Sequence, residues 1–337
     1  MKKLSIIIPV YNLEKYIAQT LEICLQQNIS MAEYEILCIN DGSKDNSANV
    51  IAEYQSRYSN IRLYTQENSG VSSARNRGME IAEGKYIWFV DGDDFISTNC
   101  LKSLLEILQT ENIDVFGLKM HSVVERIVKE GAVETYQLCP KDENRVNFMT
   151  EPGGVGGGVC SQIYKTELLK KHGIRFTPEI KYSEDVLFSF KAVMKAKVCA
   201  KTDSVLYYYY QREGSAMHSN NFDKMIDSMH RLANEYKTIA EEEADWADIA
   251  LSKKYYAIKA LLFTMVQKGD VNFAKEKIKE LTAEGLYPYP FLKESLRHNV
   301  TRKQAVINYV SFFFPRKRYF MSCVRLIALR NKLKRKK

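Results

Sequence analysis

Two short carboxylate clusters in this sequence could do chemistry. Asp91-Gly92-Asp93-Asp94 follows the apolar run Tyr86-Ile87-Trp88-Phe89-Val90, and Glu184-Asp185 precedes Val186, Phe190 and Val193 at helical spacing. A D-x-D pair at the end of a buried strand offers hard oxygen ligands, which suit a divalent cation that neutralises phosphate. By itself the pair is a weak signal, because acidic turns after strands are common. Asp94 either joins the cluster or caps the helix that carries Leu101. Glu184 and Asp185 also read two ways. They favour the N-terminus of a helix capped by Ser183, or one of them serves as a general base.

The elements that must position these groups are legible from periodicity. Leu4–Val10 is a first strand, and Leu13, Ile17, Leu21 and Leu25 then recur at helical spacing. Glu35–Ile39 is a second strand, followed by a helix bearing Val50, Ile51, Tyr54 and Tyr58. Ile61–Tyr64, Ser72–Ala82 and Tyr86–Val90 continue the alternation, and a helix at Leu101, Leu104, Leu105 and Leu108 precedes a strand at Val115–Leu118. This order predicts an α/β fold with a mainly parallel sheet covered by helices. Polar groups gather just past three strand ends, at Tyr11-Asn12, Asn40-Asp41-Gly42-Ser43 and Asp91 to Asp94. In an open parallel sheet that rim is where ligands bind. No G-x-G-x-x-G follows the first strand and no Walker-type G-x-x-x-x-G-K-[ST] occurs, which disfavours dinucleotide and P-loop chemistry.

Four separated motifs now agree. Ser5-Ile6-Ile7-Ile8-Pro9-Val10-Tyr11-Asn12, Asn40-Asp41-Gly42-Ser43, Asn68-Ser69-Gly70-Val71-Ser72-Ser73-Ala74-Arg75-Asn76 and Tyr86 to Asp94 occur in this order. Together they closely resemble glycosyltransferase family 2, inverting enzymes of the GT-A fold, over roughly residues 1 to 218. The resemblance implies a nucleotide-sugar donor, a UDP-sugar, with Pro9, Val10 and Tyr11 bordering the base and ribose. It implies that Asp41 accepts from the base N–H, that Arg75 and Asn76 lie close to the nucleotide, and that Asp91, Gly92 and Asp93 meet ribose and a diphosphate-bound Mn²⁺ or Mg²⁺. Taken singly, Tyr11 as a core residue, Asp41 as a helix cap and Arg75 as a solvated cation remain open. Tyr182-Ser183-Glu184-Asp185 is similar to the family's E-D motif, which implies Asp185 as the base and Glu184 as a positioning acid. Gln211 to His218 resembles the loop that closes the donor site, with Arg212 toward the diphosphate and His218 as a further metal ligand.

The pattern is not complete. Where relatives often read V-W-N-K-L-Y, this chain has Val159-Cys160-Ser161-Gln162-Ile163-Tyr164, in a region that commonly faces the acceptor. The Q-x-x-R-W motif and the membrane spans of processive synthases are absent, which favours single addition. The implied acceptor is a glycan or lipid-linked glycan hydroxyl in cell-surface polysaccharide synthesis. The alternatives are a polyprenyl phosphate, already anionic and needing no base, or a catalytically idle nucleotide- or glycan-binding scaffold.

Bulk properties fit this reading. The chain has 337 residues, 45% hydrophobic and 27% charged, with seven scattered cysteines and no C-x-x-C pair. That suits a reduced, cytoplasmic protein without structural disulfides or zinc. The N-terminal apolar run is too short for a signal peptide. The mid-chain glycines of Pro152 to Gly158 form a linker or a mobile loop. Beyond Ser219 helical periodicity takes over, so we place a catalytic domain at 1–218 and a helical region at 219–337. Positions such as Tyr256, Ile258, Leu261, Leu262 and Met265 suit packing on the catalytic domain or on another subunit of a homo-oligomer. His121, His172, His230 and His298 show no ligand spacing. The net charge of +8 comes from the ten cations after Pro315, without which the remainder carries −2. That tail mixes its cations with Phe312, Phe313, Phe314, Tyr319, Phe320, Val324, Leu326, Ile327 and Leu329. It reads either as a basic helix for an anionic membrane surface, peripheral on its inner face, or as a packed helix with a solvated end. Nucleic acid is disfavoured by the acidic remainder.

Overall fold

The protein is described by a computed structural model over residues 2–127, 129–139, 158–211, 221–288 and 316–334. Its residues group into two compact units, Met1–Pro178 with Ser183–His218, and Glu179–Tyr182 with Ser219–Lys337.

The first unit is built on one mixed sheet. Its strands are β1 (Leu4–Val10), β2 (Tyr34–Asn40), β3 (Ile61–Thr65), β4 (Tyr86–Phe89), β5 (Phe95–Ile96), β6 (Val115–Val123), β7 (Gln137–Cys139), β8 (Gln162–Lys165) and β9 (Cys199–Tyr210). They lie in the order β3-β2-β1-β4-β8-β6-β9-β5, with β7 on β9. The β3-β2-β1-β4 half is wholly parallel. β1, β2 and β4 are buried along their whole length, so their sequences are continuous apolar runs rather than alternations. Beyond β4 the sheet departs from the simple alternation expected. β8 inserts antiparallel between β4 and β6 before β6 and β9 pair in parallel.

Around the sheet run α1 (Ile17–Leu25), α2 (Ser47–Arg57), α3 (Val71–Ile81), α4 (Leu101–Thr110), α5 (Thr166–Lys171) and α6 (Glu184–Lys195). α4 shows how the pattern dictates packing: Leu101, Leu104, Leu105 and Leu108 form its buried face. β1 sits where strand order reverses, with β2 on one side and β4 on the other, so the crevice at its carboxyl end is open to a ligand. Under that crevice lies an aromatic floor. Phe176 and Phe188 stack with ring centroids 4.1 Å apart, and Phe89 meets both edge-on.

The second unit is helical: α7 (Phe222–Glu242), α8 (Ala247–Lys268), α9 (Val271–Ala283) and α10 (Lys317–Lys334). Asn221 and Asp270 cap α7 and α9 by accepting from Lys224 N and Phe273 N. All seven cysteines are free thiols, six of them buried. Among the described residues no helix is long and apolar enough to cross a membrane.

Candidate active site

The rim is assembled by cross-ties between strand ends. Asn12, after β1, adopts φ 54° and accepts from Lys44 N at 2.8 Å, while its own N–H donates to Ser43 Oγ. Gly42 holds φ +70°, a turn that a side chain would strain. Pro9 and Val10 are buried within the sheet, whereas Tyr11 is 48% exposed, so Tyr11 is not a core residue and its ring is presented at the rim. Asp41 ties the β2 end to the start of α3. Its Oδ1 accepts from Gln66 Nε2 and Ser69 N, and its Oδ2 from Gly70 N, at 2.8–2.9 Å. Asn76 makes a two-way clamp with the backbone of Phe176, at 2.9 Å in both directions.

Arg75 is the centre of the constellation. It is buried on α3, donates to Asp91 Oδ1 at 2.8 Å and to Glu184 Oε1 at 3.3 Å, and lies 5.4 Å from the ring centroid of Phe176. Burial works against its charge, but Asp91 and then Cys160 and Glu184 outweigh that and raise its pKa. The solvated-cation reading of Arg75 is therefore excluded. Among the described residues its buried Nε finds no acceptor.

The carboxylates after β4 are held by several elements at once. Asp91 keeps about a third of its side chain exposed, and its N–H donates to Tyr207 Oη at 3.2 Å. Gly92 packs so tightly that a Cβ there would sit 2.8 Å from Leu13 Cδ1. The carbonyls of Gly92 and Asp94 both accept from Thr20 Oγ1. Asp94 is buried, with Oδ2 accepting from Tyr207 Oη at 2.6 Å and Oδ1 from Tyr210 N at 2.8 Å. So Asp94 anchors β9 under the cluster rather than capping α4, whose N-cap is Cys100. Burial, and then the charge of Asp91, push its carboxyl up to about 8. Arg126 completes this side. Its guanidinium donates to Thr20 Oγ1, Tyr16 O and Asp94 O and lies within 6 Å of the rings of Tyr16, Phe95 and Tyr210. Burial pulls Arg126 below its ordinary pKa against Asp93 and Asp94, and among the described residues its buried Nε too finds no acceptor.

Glu184 and Asp185 form the first turn of α6, preceded by Ser183 at φ 61°, whose side chain makes no capping bond. Burial, and then the charge of Asp185, push Glu184 up to about 7, with Arg75 opposing. Asp185 is raised as well, by burial first, against Arg75 and the Val186 N–H. A Cβ at Gly158 would lie 2.7 Å from Asp185 Oδ2, so backbone closes directly on this carboxylate. The departing segment Val159-Cys160-Ser161 forms the next turn, and the carbonyl of Cys160 accepts from Trp88 Nε1 at 2.9 Å.

The structure thus brings Arg75, Asp91, Glu184 and Asp185 together, with Asp93 beside them in sequence. Arg212 and His218, and the glycines of 152–157, lie outside the described residues. The donor set after β4 fits a hard divalent cation: adjacent carboxylates, of which Asp91 and Asp93 are partly open to solvent. Among the described residues the one preassembled three-ligand cluster lies elsewhere, at His230, Glu280 and Glu284 of the second unit. There Lys277 Nζ already sits 2.8 Å from His230 Nδ1 and 2.9 Å from Glu280 Oε2, filling a cation's place. Sequence reasoning missed this group because about fifty residues separate His230 from the two glutamates. It missed Arg126 and Tyr207 as well; neither belongs to a spaced motif, and Tyr207 reads only as part of an apolar run.

Comparison with known proteins decides the family. Residues 5–173 match the family described as "Glycosyl transferase family 2". The chain belongs to glycosyl transferase family 2. It has a mainly parallel α/β sheet, as the resemblance implied. Among family members it is 33% identical to the Staphylococcus aureus poly(ribitol-phosphate) β-N-acetylglucosaminyltransferase TarS over 227 residues, 65% of this chain and 37% of TarS. It is 31% identical to a Bacillus spizizenii poly(ribitol-phosphate) β-glucosyltransferase, over 64% of this chain and 33% of that protein. The chain therefore spans about a third of the length of these relatives. The structure of S. aureus TarS 1–349 with UDP-GlcNAc shares the fold, with a TM-score of 0.57 and 24% identity, over 89% of this chain and 97% of that one.

Proposed function

We propose that this chain is an inverting glycosyltransferase that moves one sugar from a UDP-sugar to a hydroxyl of a cell-surface glycan acceptor. One observation carries the reading: a buried arginine joins the carboxylate after β4 to the acid pair that opens α6. That linkage fixes the distance between a donor side and an acceptor side of one crevice. The relatives' names supply the acceptor class, since both act on poly(ribitol-phosphate).

On the donor side, the exposed Tyr11 offers a face for the base, and Asp91 and Asp93 would hold Mn²⁺ or Mg²⁺. Such an ion supplies positive charge to a diphosphate as it departs. Arg212 and His218, which follow β9 in sequence, would join Asp91 and Asp93. On the acceptor side Asp185 takes the proton of the attacking hydroxyl. The acceptor oxygen bonds to the anomeric carbon from the face opposite the diphosphate, and the bond to the diphosphate oxygen breaks with its electron pair. A raised carboxylate pKa brings the base closer to the working pH, which is where a general base is effective. Glu184, bonded to Arg75, holds the geometry.

A thermal-shift comparison of UDP, GDP, CMP and dTDP, each with and without Mn²⁺, tests this. A ligand that binds only the folded state at a hundred times its Kd stabilises by about 2.7 kcal/mol. UDP with Mn²⁺ should raise the melting temperature, and Asp93→Ala should abolish the metal-dependent part. Absence of any nucleotide response would overturn the donor site.

A further inference from the structure

Helix α10 carries two apolar faces, and among the described residues only one of them is packed. Phe320, Met321 and Val324 are buried, and Ile327 and Asn331 lie against Gly269 at the end of α8. This uses up Phe320 and Val324, which the sequence offered to a membrane. On the opposite side Leu326, Leu329 and Leu333 are 67%, 57% and 59% exposed. At 3.6 residues per turn these three project within roughly 60° of one another. Exposed Arg325, Arg330 and Lys332 stand beside the stripe, and no acid occurs from Arg316 to Lys337.

A cavity of about 640 Å³ adjoins the same helix. Lys275 and Lys279 of α9 and Lys317, Arg318 and Arg325 of α10 line it, without an acid. Among the described residues Lys279 pairs with Glu276, and the other four cations form no ion pair. Lys275 and Lys279 are four residues apart on one helical face, so an anion between the helices relieves repulsion that Glu276 offsets on Lys279 alone.

We infer that α10 is a docking helix for an anionic lipid surface. Leu326, Leu329 and Leu333 enter the boundary between headgroups and acyl chains, and the cationic cavity takes headgroup phosphates. The leucines decide between occupants. A soluble phosphodiester polymer would use the cations but would leave three large apolar side chains in water, whereas an interface uses both. Each basic residue near such a surface strengthens binding by roughly fivefold, and each leucine moved out of water by on the order of tenfold.

Sedimentation of the full chain with vesicles of phosphatidylcholine, with and without phosphatidylglycerol, tests the inference. Binding should require phosphatidylglycerol and weaken with salt. Replacing all three leucines (Leu326→Ser, Leu329→Ser, Leu333→Ser) should reduce it at least tenfold, and Arg318→Glu with Arg325→Glu should bring it to the phosphatidylcholine level. If the serine variant binds like the unaltered chain while the charge reversal does not, the site takes soluble polyanions and the inference falls. It falls too if the unaltered chain ignores phosphatidylglycerol. A second measurement needs no variant: soluble poly(ribitol-phosphate) or inorganic phosphate, matched in phosphate concentration, should not release vesicle-bound protein, and release by either would overturn the inference. UDP binding, read separately, leaves this result untouched.

Discussion

Arg75→Met removes the cation that joins the two acidic groups while keeping most of the side-chain volume. The contact with Glu184 at 3.3 Å is worth about 5 kcal/mol gross at an effective dielectric of 20. Asp91 lies closer, at 2.8 Å, but about a third of its side chain faces water, so its contribution is discounted. Deleting a buried guanidinium also recovers its desolvation cost. The net loss should be about 3 kcal/mol at pH 8. The pH dependence separates charge from packing. Arg75 holds down the pKa values of Glu184 and Asp185, which burial otherwise raises, so its removal lifts both further. A carboxylate with a raised folded pKa binds protons more tightly folded than unfolded. Its ionisation therefore costs stability as pH rises from the unfolded value near 4 through the folded one. With Glu184 at about 7 in the parent, both proteins hold it protonated at pH 5, and the deficit should shrink there to ~1 kcal/mol. Urea unfolding at pH 5 and pH 8 measures this, with Trp88 as reporter in a Trp246→Phe background. Trp88 is buried in β4, three residues before Asp91. An equal deficit at both pH values would show that Arg75 acts by packing on Phe176 alone, and the electrostatic account of the site would be wrong.

Two further outcomes follow from the same geometry. Asp185→Asn should lower transfer to a hydroxyl acceptor by about 10²–10⁴-fold while leaving UDP binding intact; near-normal transfer would remove the base assignment and favour an acceptor that is already anionic, such as a polyprenyl phosphate. Asp94→Asn should flatten the pH dependence of stability, because the parent carboxyl at about 8 makes the folded state lose stability between about pH 4 and 8; an unchanged slope in parallel urea titrations would place the ionisation elsewhere.

Much of the first unit was legible because a strand buried on both faces leaves an unmistakable apolar run. The read boundaries of β1 coincide with the observed Leu4–Val10, and those of β2, β3 and β4 differ by a residue. β8 was not foreseen: Gln162–Lys165 is four residues long, and antiparallel insertion depends on partners far away in sequence. Motif order pointed to Asp91 and Glu184 separately, while the bridge between them spans 109 residues from Arg75 and has no local signature. Asn76 was read as a nucleotide neighbour; the structure adds that its hydrogen bonds fix the Phe176 backbone, whose ring Arg75 meets. In the tail, composition gave amphipathicity but not phase. Only packing shows that Phe320 and Val324 are spent on the protein and that Leu326, Leu329 and Leu333 are not.

The raised carboxylates explain why one crevice can serve both halves of the proposed reaction. Asp91, Asp93 and Asp94 follow β4, and Glu184 reaches Asp91 through Arg75, with the half-buried Arg126 as a second cation beside the cluster. Negative charge exceeds positive charge in a poorly solvated place, and the chain answers by holding protons on Asp94 and Glu184 near neutrality. Coulomb attraction to an incoming divalent cation is strongest where such an excess is fixed in advance. On the other side burial first, and the charge of Asp91 after it, keep Asp185 basic, while Arg75 limits the rise. Arg75 therefore sets the balance between the two: a stronger cation there would quench the base, and a missing one would leave the acids protonated and the cation site weak.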